Sequence, residues 1–212
     1  MSQRALLATG TAAIAASLLI AAAGVATGVT VVPAGWLGLS SGPVLSMDEA
    51  QSSVQSFLDR SGNRDFKLDE LMEFQQNFYA LIREKSTGIG AFELLVAKGG
   101  GAIAFEPGPD MMWNTKYGMM GRGGMMGGYR RSGSVGAMTV DAHAAQQIAQ
   151  SWLDRSSPGD SAGTADEFYG YYTFHFERNG QVAGMLSVNG YSGQVWYHTW
   201  HGAFVQARDF GT

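Results

Sequence analysis

Six methionines fall in three adjacent pairs inside a glycine-rich stretch: Met111-Met112, Met119-Met120 and Met125-Met126, in "MMWNTKYGMMGRGGMMGGYRR". A thioether is neutral, polarisable and still a ligand at low pH, which suits Cu(I) and other soft cations. Glycine lets the backbone fold so that separated pairs converge. Near the C-terminus "HTWH" adds two imidazoles, His198 and His201. Residues i and i+3 on a strand point to opposite faces, so these two share an ion only if the chain turns at Trp200. The competing reading is bland. Methionine fills irregular gaps beside aromatics such as Trp113 and Tyr117 and serves adaptable protein contacts. Arg122, Arg130 and Arg131 make a small basic cluster in the same stretch, with a solvated loop as its default reading.

Other chemistry is thin. There are no cysteines, which excludes disulfides, thiolate zinc sites, iron–sulfur clusters and thiol nucleophiles. No Gly-x-Ser-x-Gly elbow, phosphate-binding loop or dinucleotide fingerprint occurs. His143 and His175 read as structural or exposed. Net charge is −4, so bulk electrostatics give no reason to expect nucleic acid. The expectation is a protein that is not an enzyme.

The elements that must position these groups show internal similarity. "SFLDRS" (56–61) returns as "SWLDRS" (151–156) at an offset of 95. Ala50, Val54, Phe57 and Leu58 correspond to Ala145, Ala149, Trp152 and Leu153, both sets at amphipathic-helix spacing. Ser46 and Glu49 make a capping box before the first copy, and Asp141 caps the second. Strand patterns follow each helix. In the first copy they are Phe66–Phe74 (with Glu70 breaking the alternation), 77–85, 91–98 and 102–106. In the second they are 168–177, 182–189 and 194–198, with Asn179-Gly180 as a hairpin turn. The ends align at an offset of 92, which puts His198 opposite Glu106 and His201 opposite Pro109. The aromatic residues of copy two, Trp152, Tyr169, Tyr171, Tyr172, Trp196, Tyr197 and Trp200, read mainly as core and as the contact between copies.

A helix followed by strands ending in "LSVNGYSGQVWY" resembles the PepSY domain, in both copies. The resemblance implies an α+β fold of two units, each one helix on a small antiparallel sheet. It also implies an extracytoplasmic module, often inhibitory or peptide-binding and not catalytic. No His-Glu-x-x-His protease helix follows in this chain. The expected organisation is an N-terminal segment (1–45), repeat 1 (46–108), a Gly/Met-rich linker (109–137) and repeat 2 (138–212).

The N-terminal segment holds no charged residue between Arg4 and Asp48, and Ala5–Val32 is apolar and alanine-rich. It is long enough to span a bilayer. A cleaved signal peptide and a retained membrane anchor both place the rest outside the cytoplasm, and the length of the run favours the anchor. Two functions stay open. One is binding of copper or another soft metal by Met111, Met112, Met119, Met120, Met125 and Met126, with His198 and His201 as further ligands. The other is a peptide- or protein-binding accessory module of a membrane complex or peptidase, with no metal.

Overall fold

A computed structural model describes residues 42–118 and 136–211. Helix α1 (Met47–Ser61) starts at Ser46, whose hydroxyl accepts from the Glu49 amide while the Glu49 carboxylate accepts from the Ser46 amide at 2.7 Å. The reciprocal cap satisfies two amides that have no partner in the first turn. Gly62, at φ 71°, ends the helix in the left-handed region. Four strands follow: β1 (Phe66–Phe74), β2 (Asn77–Glu84), β3 (Gly90–Ala97) and β4 (Ile103–Phe105). A one-turn helix, α2 (Pro109–Trp113), comes next. Helix α3 (Ala142–Ser156) is capped by Asp141, which accepts from the Ala144 amide at 2.8 Å. The chain then forms β5 (Ser161–Phe168), β6 (Tyr171–Arg178), β7 (Gln181–Asn189), β8 (Val195–Tyr197) and β9 (Phe204–Asp209).

The protein is α+β, and its strands form one nine-stranded sheet in the order β8-β7-β6-β5-β3-β2-β1-β9, with β4 also on β3. Two small antiparallel sheets were expected. The halves instead join at a single parallel pair, Gly90 with Phe168. The last strand then returns to pair antiparallel with β1. The expected strand 168–177 is mostly β6, and its first residue, Phe168, is the end of β5. The chain reverses at Tyr169-Gly170, where Gly170 has φ 105° and a side chain would strike the Trp113 carbonyl. Strand β5 escaped notice because its only large apolar residue is Phe168 at its end, with little alternation to read.

Side-chain parity sorts the core into three layers. Phe78, Ala80 and Ile82 of β2 and Phe92, Leu94 and Val96 of β3 pack on Ala50, Val54 and Phe57 of α1. On the other half, Tyr172, Phe174, Phe176, Leu186 and Val188 pack on Ala145, Ala149 and Leu153 of α3. The opposite faces share a third core, in which Met72, Phe74, Tyr79, Leu81 and Leu95 meet Phe168, Tyr171 and Met185. The helices thus lie outside and the two inner faces look at each other. Among the described residues no helix is long and apolar enough to cross a membrane. Ala5–Val32 lies outside them.

Candidate metal centre

The shared inner core is not uniformly apolar. Strand β8 ends at Tyr197 and the chain turns at Thr199-Trp200. That turn meets the condition the sequence set, and both His198 and His201 face inward. The His198 amide donates to the Met185 carbonyl at 3.1 Å, and the Gln76 amide donates to the His201 carbonyl at 3.0 Å. The His201 ring stacks on Phe74 at 4.4 Å between centroids, and the His198 ring on Trp200 at 4.8 Å.

Glu106, just past β4, is the third member. Its amide donates to the Glu93 carbonyl at 2.9 Å. Its Oε1 lies 3.3 Å from His198 Nδ1 and 3.0 Å from His201 Nε2. Trp200 Nε1–H donates to the same oxygen at 3.0 Å. All three side chains are at least 98% buried. Glu106 Oε2, His198 Nδ1 and His201 Nε2 have no hydrogen-bond partner among the described residues. One ligand atom from each residue falls within 4.8 Å of the others.

The far side of each imidazole is held. Asn77 Nδ2 donates to the Trp200 carbonyl at 2.7 Å, which fixes the orientation of the amide. Asn77 Oδ1 is therefore an acceptor, and it sits 3.0 Å from His201 Nδ1. The proton of a neutral His201 must be on Nδ1, and its Nε2 lone pair then faces a carboxylate. On the other ring, His198 Nε2 meets Ser187 Oγ at 3.0 Å, and Ser187 Oγ meets Thr173 Oγ1 at 2.9 Å. Burial pushes the His201 imidazolium down and favours the neutral ring. Burial would raise the Glu106 carboxyl, but the two imidazoles outweigh it and hold it below the usual carboxylate range. A neutral His201 would set a bare nitrogen lone pair against Glu106 Oε1 at 3.0 Å, a contact that a proton or a metal cation between them relieves. Two imidazoles, each oriented from behind, and one carboxylate are a donor set for a first-row divalent ion.

Two more buried acids adjoin this centre. Glu93 accepts from Tyr79 at 2.7 Å and from Tyr171 at 2.8 Å. The Tyr171 hydroxyl is also 3.2 Å from Asp110 Oδ1. Asp110 lies on α2, so the expected linker begins as packed structure and not as a hinge. Asn114 anchors it further, donating to the Ala91 carbonyl at 2.7 Å. Lys116 and Tyr117 then donate to Glu84, which also accepts from Tyr169 at 2.6 Å and Thr87 at 2.8 Å. Residues 109–118 are thereby clamped to both halves of the sheet.

Of the eight residues the sequence singled out, the structure brings His198 and His201 together. Met111 is half-buried on α2 and Met112 is 53% exposed. Met119, Met120, Met125 and Met126 lie outside the described residues. His143 is exposed. Sequence reasoning did not choose Glu106 as a ligand, although the repeat alignment placed it opposite His198. Asn77, Glu93 and Asp110 carried no signal beyond being polar residues in or beside apolar runs.

No family model matches the sequence, and no curated protein does. A weak structural neighbour is the C-terminal domain of YpeB from Bacillus megaterium, at 12% identity and a TM-score of 0.25. The match covers 73% of this chain and spans 62% of the length of that one.

Proposed function

We propose that this chain is a non-enzymatic metal-binding protein of the extracytoplasmic space, and that Glu106, His198 and His201 hold the ion. The observation that carries this reading is the convergence of one ligand atom each from Glu106, His198 and His201 within 4.8 Å in a sealed core, with Asn77 turning His201 Nε2 towards the carboxylate. The donor set favours Cu(II) or Zn(II) over the softer Cu(I) that a thioether cluster would prefer. All three ligands are at least 98% buried, whereas catalytic metal sites keep a position open to substrate. A closed site fits an ion that is stored or that locks the fold. The paired methionines then serve as an outer copper-collecting segment or an adaptable contact, separate from the buried centre.

The remaining pieces agree with this reading. Each capped helix and its meander form one PepSY-like unit, 46–108 and 138–212, and the two units share a sheet. The centre takes Glu106 from the end of the first and its imidazoles from the end of the second. The apolar segment Ala5–Val32 would deliver the folded part across a membrane and tether it there.

The test is metal binding by the purified, metal-stripped full chain, using Zn2+ and Cu2+ in equilibrium dialysis. We expect one tightly held equivalent that is lost in Glu106→Gln and in the double variant His198→Ala/His201→Ala. It should persist when Met119, Met120, Met125 and Met126 are all changed to Leu. Retention of the tightly held equivalent after the first two changes, or its loss with the last, overturns the assignment.

A further inference from the structure

We propose that Glu70, Asp166 and His175 form a second divalent-cation site, nearer the surface of the same inner face. The three come from β1, β5 and β6, and one ligand atom from each lies within 4.8 Å of the others. Strand β6 supplies the alternation: Tyr171 belongs to the inner core, Thr173 reaches Ser187 behind His198, and His175 follows two residues on. Glu70 is aimed by a β-bulge. The β1/β2 register slips between Leu68 and Glu70, and that slip carries the carboxylate to the inner face.

The group lacks a partner that a cation would supply. His175 Nε2 is sealed from solvent and has no hydrogen-bond partner among the described residues, with Glu70 Oε2 3.4 Å away. Carboxyl groups outnumber basic ones here: Asp69 and Asp209 lie near Glu70 and Asp166, against Arg83 and Lys67, and burial together with that crowding raises the Glu70 carboxyl to about 7. Arg83 is already committed, pairing with Asp69, with Asp166 Oδ1 at 2.8 Å, and with the Gly88 carbonyl at 2.8 Å. It leaves Asp166 Oδ2 and both Glu70 oxygens for an ion. The three side chains are 20–26% exposed, so this group lies nearer solvent than the sealed centre. Two carboxylates and one imidazole form a harder set than the sealed centre.

The site stands independently of the Glu106 assignment. The test titrates the full chain with Zn2+ and follows the ring nitrogens of His175 by NMR. Two equivalents are expected in the parent. In Glu106→Gln the weaker one should remain and should shift the His175 resonances. Glu70→Gln in that background should weaken it at least tenfold. A single equivalent that vanishes in Glu106→Gln overturns this proposal and leaves the sealed centre standing. A remaining equivalent that leaves His175 unmoved also overturns it. One that moves His175 in a chain whose Glu106 change costs nothing would keep this site and remove the other.

Discussion

Asn77 and His201 are 124 residues apart in sequence and lie 3.0 Å apart in the fold. Asn77 opens β2, and His201 follows the turn after β8. The amide is oriented by its own bond to the Trp200 carbonyl, so it dictates which ring nitrogen of His201 carries the proton. Replacing Asn77 by Ala removes that instruction. Metal affinity should fall about 10–100-fold, as when other orienting partners are lost, and stability by about 1–3 kcal/mol. Asn77→Asp keeps the acceptor and should retain most of the affinity. If Asn77 only filled space, the two variants would bind metal alike in dialysis.

Asp110 gives a pH signature. Burial raises its carboxyl to about 8, against an ordinary 3.8. The folded chain therefore holds a proton that the unfolded chain has released between those values. Stability must fall as pH rises through that window and level off above it. Asp110→Asn retains an acceptor for Tyr171 and Asn114 but cannot ionise. Urea denaturation at pH 5 and pH 8 should show the variant gaining on the parent as pH rises. A constant difference across that range would mean that Asp110 is already ionised in the fold.

Glu84 behaves in the opposite sense. Burial pushes its carboxyl up, but hydrogen bonds from Lys116, Tyr117, Tyr169 and Thr87 bring it down to about 2, from 4.5. Its contribution is complete above 4.5 and is lost as pH falls towards 2. Glu84→Gln should cost about 1–3 kcal/mol at pH 6, the range for hydrogen bonds to a charged group. The cost should shrink in acid. It should also loosen residues 114–118, read as faster amide exchange at Tyr117 and Gly118.

The seam between the halves is narrow. Gly90 pairs with Phe168, and a β-carbon there would sit 2.5 Å from the Phe168 ring and 3.0 Å from the Glu167 carbonyl. Gly90→Val should destabilise the protein by about 1–3 kcal/mol, the usual cost of overpacking. Because His198, His201 and Glu106 straddle the two halves, metal affinity should fall with it. Loss of stability with unchanged affinity would show that the centre tolerates movement of the seam.

Both long helices were legible because capping and 3.6-residue periodicity are local properties, written in Ser46, Glu49 and Asp141 and in the apolar rows behind them. The joining of two expected sheets into one was not. Pairing of β9 with β1 depends on residues more than 130 positions apart, such as Glu73 and Gln206. Glu70 looked like a flaw in an alternating strand, and the bulge that redirects it leaves no mark in composition. The histidine pair was readable as candidate ligands, and the need for a turn at Trp200 followed from strand geometry. The carboxylate between them was placed by the repeat alignment but not recognised, because a lone Glu after a short apolar strand is ordinarily solvent-facing. The methionine pairs drew attention by number, yet the described part of the fold spends its buried polar positions on imidazole, carboxylate and amide.

The most direct test is the X-ray absorption spectrum of the zinc-loaded full chain. The expected inner shell contains only nitrogen and oxygen, with two imidazoles at about 2.0–2.1 Å. At one equivalent of zinc it should be unaltered by the four Met→Leu changes, and its two-imidazole signature should be lost with His198→Ala/His201→Ala. A sulfur neighbour in that shell, or a spectrum indifferent to the two histidines, would contradict the account.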